Sequence, residues 1–172
     1  MTQTPPKIAQ EPPTTVYPLE GYAVSCDPAM VDRARVHEMI RGTYWAEGIP
    51  RDVMDRAIDH SLVFSVVDVR AGRQVGVARV VSDYATFAYL ADVFIEPAHR
   101  GKGLSKHLMA FILAHPRLLG LRRFCLMTRD AHALYEQFGF ANRGDGGRAY
   151  MEVARPGMYL PSGATRAAGE PA

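Results

Sequence analysis

The spacing of apolar residues along the chain changes period several times, and each change marks an element. Alternation over Tyr22 to Cys26 predicts a short strand. Asp27 before Pro28 has the form of an N-cap followed by proline at the first helical position. Val31, Ala34, Val36, Met39 and Ile40 then recur at helical spacing, so a single helix is predicted from Asp27 to about Arg41. A loop from Gly42 to Ile49 leads to Pro50 and a second helix ending near His60. Leu62 to Val69 and Gln74 to Ser82 are rich in β-branched residues and flank Arg70-Ala71-Gly72-Arg73, the pattern of a hairpin. A strand from about Phe87 to Ile95 comes next. Apolar residues at 104, 108, 111 and 112 then predict a helix, Phe124 to Thr128 a strand, and 130–140 a helical segment. A glycine-rich turn over 141–148 and a closing strand from Tyr150 to Ala154 complete the pattern. No internal repeat is visible.

This order predicts a layered α/β domain, a mixed sheet with helices packed on it, over residues 19–155. Residues 1–18 carry Pro5, Pro6, Pro12, Pro13 and Pro18, and residues 156–172 are rich in Gly, Ala and Pro, so both ends are expected to be flexible tails. At 172 residues, with 48% hydrophobic and 22% charged side chains, the chain is long and apolar enough to bury one core. A net charge of +2 gives no footprint for nucleic acid or for a membrane surface, and no apolar run is long enough to span a bilayer. Cys26 and Cys125 lie far apart in predicted strands, as reduced core thiols would; with no apolar leader before Pro13, a cytoplasmic setting is expected. The six histidines and two cysteines form no cluster at ligand spacing, so no metal is expected.

One segment departs from ordinary turn chemistry. Val93-Phe94-Ile95-Glu96-Pro97-Ala98-His99-Arg100-Gly101-Lys102-Gly103-Leu104-Ser105 reads as a strand, a glycine-containing turn and the start of a helix. Glycines there let a ligand approach the backbone. The free amides of a first helical turn, with Arg100 and Lys102 nearby, favour a phosphate or pyrophosphate. Gly103 follows Lys102 where a P-loop needs Ser or Thr, and Lys106 stands where a dinucleotide fingerprint needs its third glycine, so neither motif is present.

The order Arg100-x-x-Gly103-x-Ser105 after a strand resembles the acyl-CoA-binding motif of the GNAT superfamily of N-acetyltransferases, written Arg or Gln, two variable residues, Gly, one variable residue, Gly or Ala. Ser105 departs at the last position, where serine is still small and its hydroxyl can bond a phosphate. Asp130-Ala131-His132-Ala133-Leu134-Tyr135-Glu136-Gln137-Phe138-Gly139-Phe140 resembles the family helix that carries a tyrosine and ends in Gly-Phe, and the likeness extends over about 21–155. It implies a mostly antiparallel twisted sheet with helices on both faces. Counted from Tyr22, the fourth strand (87–95) and the fifth (124–128) would splay apart to admit the donor. The resemblance implies acetyl-CoA as donor, with Val93, Phe94 and Ile95 along its pantetheine arm and Arg100, Gly101, Lys102, Gly103, Leu104 and Ser105 around its pyrophosphate.

The implied reaction is acetyl transfer to a primary amine, taken here as that of a small molecule, by direct attack in a ternary complex. The amine must lose a proton, the tetrahedral oxyanion needs a donor such as the Val93 amide, and the departing thiolate needs a proton. Tyr135 matches the family's general acid; otherwise it is an aromatic on a buried helix face whose hydroxyl is satisfied by backbone. Asp92, a carboxylate in an apolar strand, is a candidate base or half of a structural ion pair. Strict alternation sets it opposite Tyr89, Ala91 and Val93, and a β-bulge near the splay would reverse that. Tyr44 and Trp45 in the loop between the first two helices, together with Arg79 and Tyr89, are candidates for holding the acceptor. A silent acyl-CoA-binding domain on the same fold, or a nucleotide-binding or interaction module in which 100–105 is only a turn, also fits the residues. A homodimer through an edge strand or an aromatic surface is compatible with the sequence.

Overall fold

In the computed structural model, which describes residues 17–141, six strands form one sheet in the order β1 to β6. They are β1 (Tyr17–Leu19), β2 (Tyr22–Ser25), β3 (Leu62–Asp68), β4 (Arg73–Ser82), β5 (Phe87–Ile95) and β6 (Arg123–Leu126). All neighbours are antiparallel except β5 and β6, which run parallel. The helices are α1 (Arg33–Arg41), α2 (Arg51–Asp59), α3 (Leu104–Leu113) and α4 (His132–Glu136). Strand β1 pairs with β2 inside the stretch expected to be tail, so the folded part begins before residue 19. The glycine-rich turn beyond Ala141, the closing strand 150–154 and the remaining tails lie outside the described residues.

Side chains alternate across the sheet and divide the core in two. Phe64, Val66, Val80, Ala88 and Leu90 pack with Leu104, Leu108, Met109 and Ile112 of α3 and with Tyr135 of α4. Val63 and Val77 face the other way and pack with Val36, Met39 and Ile40 of α1 and Met54 and Ile58 of α2. The helices therefore cover both faces, as the family resemblance implies.

Two predicted helices differ in extent. The single helix expected from Asp27 is interrupted: Asp27 accepts a bond from the Ala29 amide to cap a 3-10 turn over Pro28–Met30, and Val31 leaves helical space. Asp32 then caps α1 by accepting from the Arg35 amide, while its own amide donates to Gln74 Oε1 at 2.8 Å. Two aspartates five residues apart each start an element, and the apolar spacing across them concealed the break. Helix α4 has five residues and starts after Ala131 rather than at Asp130, because Thr128 Oγ1 accepts the Ala131 amide.

The feature that shapes the site is in β5. Its register against β4 pairs Arg79 with Ala91 and Val77 with Phe94, so β5 carries one extra residue there, and Asp92 takes φ +52°. This is a β-bulge. It explains why Ala88 and Leu90 share a core with Ile95 although they differ in parity. On its other edge β5 pairs with β6 only from Phe87 to Leu90, and the strands separate from Ala91 onward. Sheet twist and the bulge together open the splay.

Candidate active site

The turn after β5 holds its glycines in left-handed backbone. A 3-10 turn over Pro97–His99 leads to Gly101 and Gly103, both at φ +76°, a conformation that disfavours any side chain. Gly103 is the N-cap of α3 and supplies no side-chain bond, so the first-turn amides of this ten-residue helix are left for another acceptor. They face a cleft of about 210 Å³. Its walls are Ile95 at the end of β5, Arg100, Gly101 and Gly103 of the turn, Leu104, Ser105 and Lys106 of α3, and Leu134 of α4. The cleft is continuous in sequence with both sides of the splay.

Not every expected cradle residue points there. Arg100 donates from Nε to the Ile95 carbonyl at 2.9 Å and lies 5.6 Å from the Phe94 ring centroid, so it braces the turn against β5. Lys102 turns to the opposite side, donating from Nζ to the Tyr22 hydroxyl at 2.6 Å. That hydroxyl is also 2.9 Å from His99 Nδ1, so one phenol on β2 ties two residues of the turn. Lys102, Tyr22, Asp68 and Arg70 belong to a separate cleft of about 360 Å³. Sequence reasoning missed Lys106 and Leu134, although each adjoins a residue it identified. Tyr22 carried no local signal, since its role depends on a partner almost eighty positions away.

On the α1 and α2 side of the sheet, the bulge turns Asp92 toward Arg79 and Trp45. Arg79 Nε donates to Asp92 Oδ2 at 2.6 Å, and the indole Nε1 of Trp45 donates to Oδ1 at 3.1 Å. The Arg79 and Asp92 side chains are 13% and 9% exposed. Arg79 also donates to the Ala57 carbonyl and to Ser61 Oγ, both at 3.2 Å. A left-handed, non-glycine residue costs about 1–3 kcal/mol, and these bonds offset it. Tyr89 is half-buried on the same face, opposite Val81. Tyr44 meets Trp45 edge-on, with centroids 4.9 Å apart. Trp45 itself is 45% exposed.

Tyr135 projects from α4 into the core beside Phe140 and is 8% exposed. Among the described residues its hydroxyl has no hydrogen-bond partner, in contrast to a structural tyrosine bonded to backbone. Burial, reinforced by Tyr44 and Asp130, pushes the phenol up to about 12. The group therefore stays protonated across the physiological range. Among the described residues no group of His, Cys, Asp and Glu side chains is arranged to hold a metal, and no helix is long and apolar enough to cross a membrane. Both cysteines are free thiols.

Residues 33–140 match the model of the acetyltransferase (GNAT) family. A protein of Xanthomonas campestris pv. campestris belonging to the GNAT family is similar at 50% identity and a TM-score of 0.75, over 81% of this chain and 97% of its own. A serotonin N-acetyltransferase of rice (Oryza sativa subsp. japonica) is 30% identical over 128 residues, which are 70% of this chain and 62% of the rice protein. The glucosamine-6-phosphate N-acetyltransferase of Arabidopsis thaliana, 16% identical, shares the fold with a TM-score of 0.55 over 77% of this chain and all of its own. Sheet order, glycine turn and family match agree: the chain belongs to the GNAT family of acetyltransferases and is an acyltransferase.

Proposed function

We propose that the chain transfers an acetyl group from acetyl-CoA to the primary amine of a small molecule, by direct attack in a ternary complex. The observation that carries this reading is the protonated hydroxyl of Tyr135, without a hydrogen-bond partner among the described residues, on a helix whose preceding residue, Leu134, lines the cleft under the α3 N-terminus. The first-turn amides of α3 receive the pyrophosphate, and the edge of β5 that β6 leaves unpaired, Val93 to Ile95, lies along the pantetheine arm. Leu104, Ser105 and the glycines shape the cradle, while Arg100 holds the turn in place. Lys102 acts from the far side through Tyr22.

The amine nitrogen, having lost its proton, attacks the thioester carbon, and a C–N bond forms as the C–S bond breaks. The Val93 amide, at the splay, is the donor assigned to the developing oxyanion. Tyr135 gives its proton to the departing thiolate, whose conjugate thiol has an ordinary pKa of about 8.5, and recovers one from the proton released by the amine. Asp92 has both oxygens engaged, so its role is to fix Trp45 and Arg79 around the acceptor rather than to serve as base. Trp45, Tyr44 and Tyr89 supply apolar walls. The rice relative, named for an aromatic amine, supports an amine acceptor here.

Thiol release tests this reading. Release is expected only with acetyl-CoA and an amine together, with intersecting initial-velocity lines. Parallel lines would contradict direct transfer, and donor binding without release for any amine would instead favour a silent acyl-CoA-binding protein.

A further inference from the structure

Arg129 lies in the segment between β6 and α4, beyond the end of the parallel pairing, and its guanidinium carbon sits 3.9 Å from the centroid of the Tyr44 ring. The contact joins the chain after β6 to the loop between α1 and α2, across the mouth of the splay. At this distance the guanidinium lies over the face of the phenol, a cation–π contact that uses no N–H donor in a hydrogen bond and so leaves its five donors for a ligand. Arg129 is exposed, and among the described residues it forms no ion pair and no hydrogen bond.

The neighbouring charges are already committed. Arg79 is neutralised by Asp92, both oxygens of Asp92 are engaged, and the Trp45 N–H is spent on Asp92. Among the described residues at this mouth, Arg129 is thus a cation without a counter-ion. Asp130, next in sequence and close enough to act on the Tyr135 phenol, makes no ion pair among the described residues. An acceptor entering here meets a flat cationic donor edge on Tyr44, a carboxylate near the proposed acid, and the exposed side of Trp45.

We infer that the acceptor is an amine carrying a second, anionic group, a carboxylate or a phosphate, which Arg129 binds while the ammonium end is drawn toward Asp130 and Tyr135. This deepens the proposed acetyl transfer and rests on it. A planar guanidinium pairs in bidentate fashion with either oxyanion, so the two sources share one chemistry. A polycationic acceptor is repelled by the guanidinium, and an alkylamine whose ammonium is its only charge leaves it unanswered.

Two matched pairs of amines test the inference: phenylalanine against phenethylamine, and phosphoethanolamine against ethanolamine, each with acetyl-CoA and thiol detection. The anionic member of at least one pair is expected to exceed its partner at least tenfold in kcat/KM. Arg129→Gln should bring that ratio to within about threefold of unity, and Arg129→Lys should restore part of it. Preference for the members that lack the anionic group, or an unaltered ratio in Arg129→Gln, would overturn it, as would turnover of none of the four together with no selective binding of an anionic amine. Calorimetric binding of the same amines to the chain without donor separates the two failures. Selective binding of an anionic amine that Arg129→Gln abolishes upholds the acceptor assignment even if acetyl-CoA proves not to be the donor. Donor binding with no such selectivity refutes the acceptor assignment alone.

Discussion

Burial of Tyr135 has separate consequences for catalysis and for stability. A phenol held up to about 12 is protonated at neutral pH but is a weaker acid than the thiol it would form, so its proton must move as the C–S bond breaks rather than to a free thiolate. Tyr135→Phe is expected to lower kcat about a hundredfold while acetyl-CoA affinity changes less than twofold; equal losses in both would remove the acid role. The same shift gives a pH signature in unfolding. The folded group binds its proton more tightly than an unfolded tyrosine of pKa 10, so its contribution to stability is complete below about pH 10 and is lost as pH rises toward 12. Chemical denaturation of the wild type and Tyr135→Phe across that window should show the steeper alkaline decline in the wild type. At Arg79 the effect is structural. Arg79→Met leaves the Asp92 carboxylate largely buried without its cation and should cost about 3 kcal/mol in urea unfolding.

Among the elements, β5 holds the most consequences. Its hydrophobic run was readable as a strand, and Asp92 stood out as a charge within it, but the direction of that charge depends on one extra residue that alternation alone does not reveal. The bulge is defined by pairing with β4, a long-range property. Gly76 on β4 shows the same dependence: a Cβ there would lie 2.5 Å from Ile95 Cδ1 and 3.0 Å from the Phe94 carbonyl oxygen. Gly76→Ala is therefore expected to cost about 1–3 kcal/mol, measured as a lower denaturation midpoint, because the end of β5 must shift. The glycine turn after β5 was legible from composition, whereas its anchor was not. Tyr22→Phe removes the hydroxyl shared by His99 and Lys102 and should weaken acetyl-CoA binding several-fold with little change in kcat. An unchanged dissociation constant would show that the turn holds its shape unaided.

For the molecule as a whole, period changes in hydrophobicity set the order of strands and helices from β2 to α4, because long buried strands and amphipathic helices write themselves locally, whereas the three-residue β1 left no such pattern. What they concealed is what tertiary partners decide: the cap at Asp32 that interrupts the first helix, the Thr128 bond that delays α4, and the stacking of Arg129 on Tyr44. The turn residues 100–105 stood out as a group, yet their side-chain directions did not, and Lys102 shows the difference. Family membership narrows the chemistry to acyl transfer, and the cleft under α3 is where we propose that acetyl-CoA binds. Selective binding to the folded chain raises its stability by about 2.7 kcal/mol at a hundredfold excess over Kd, or about 5–10 °C in Tm for a domain of this size. A thermal-shift titration with acetyl-CoA, with ATP as the phosphate-bearing control, reads this directly. A saturable rise of that order with acetyl-CoA and none with ATP is expected. No rise at millimolar acetyl-CoA, or an equal rise with ATP, would contradict the assignment of the cleft to the acyl donor.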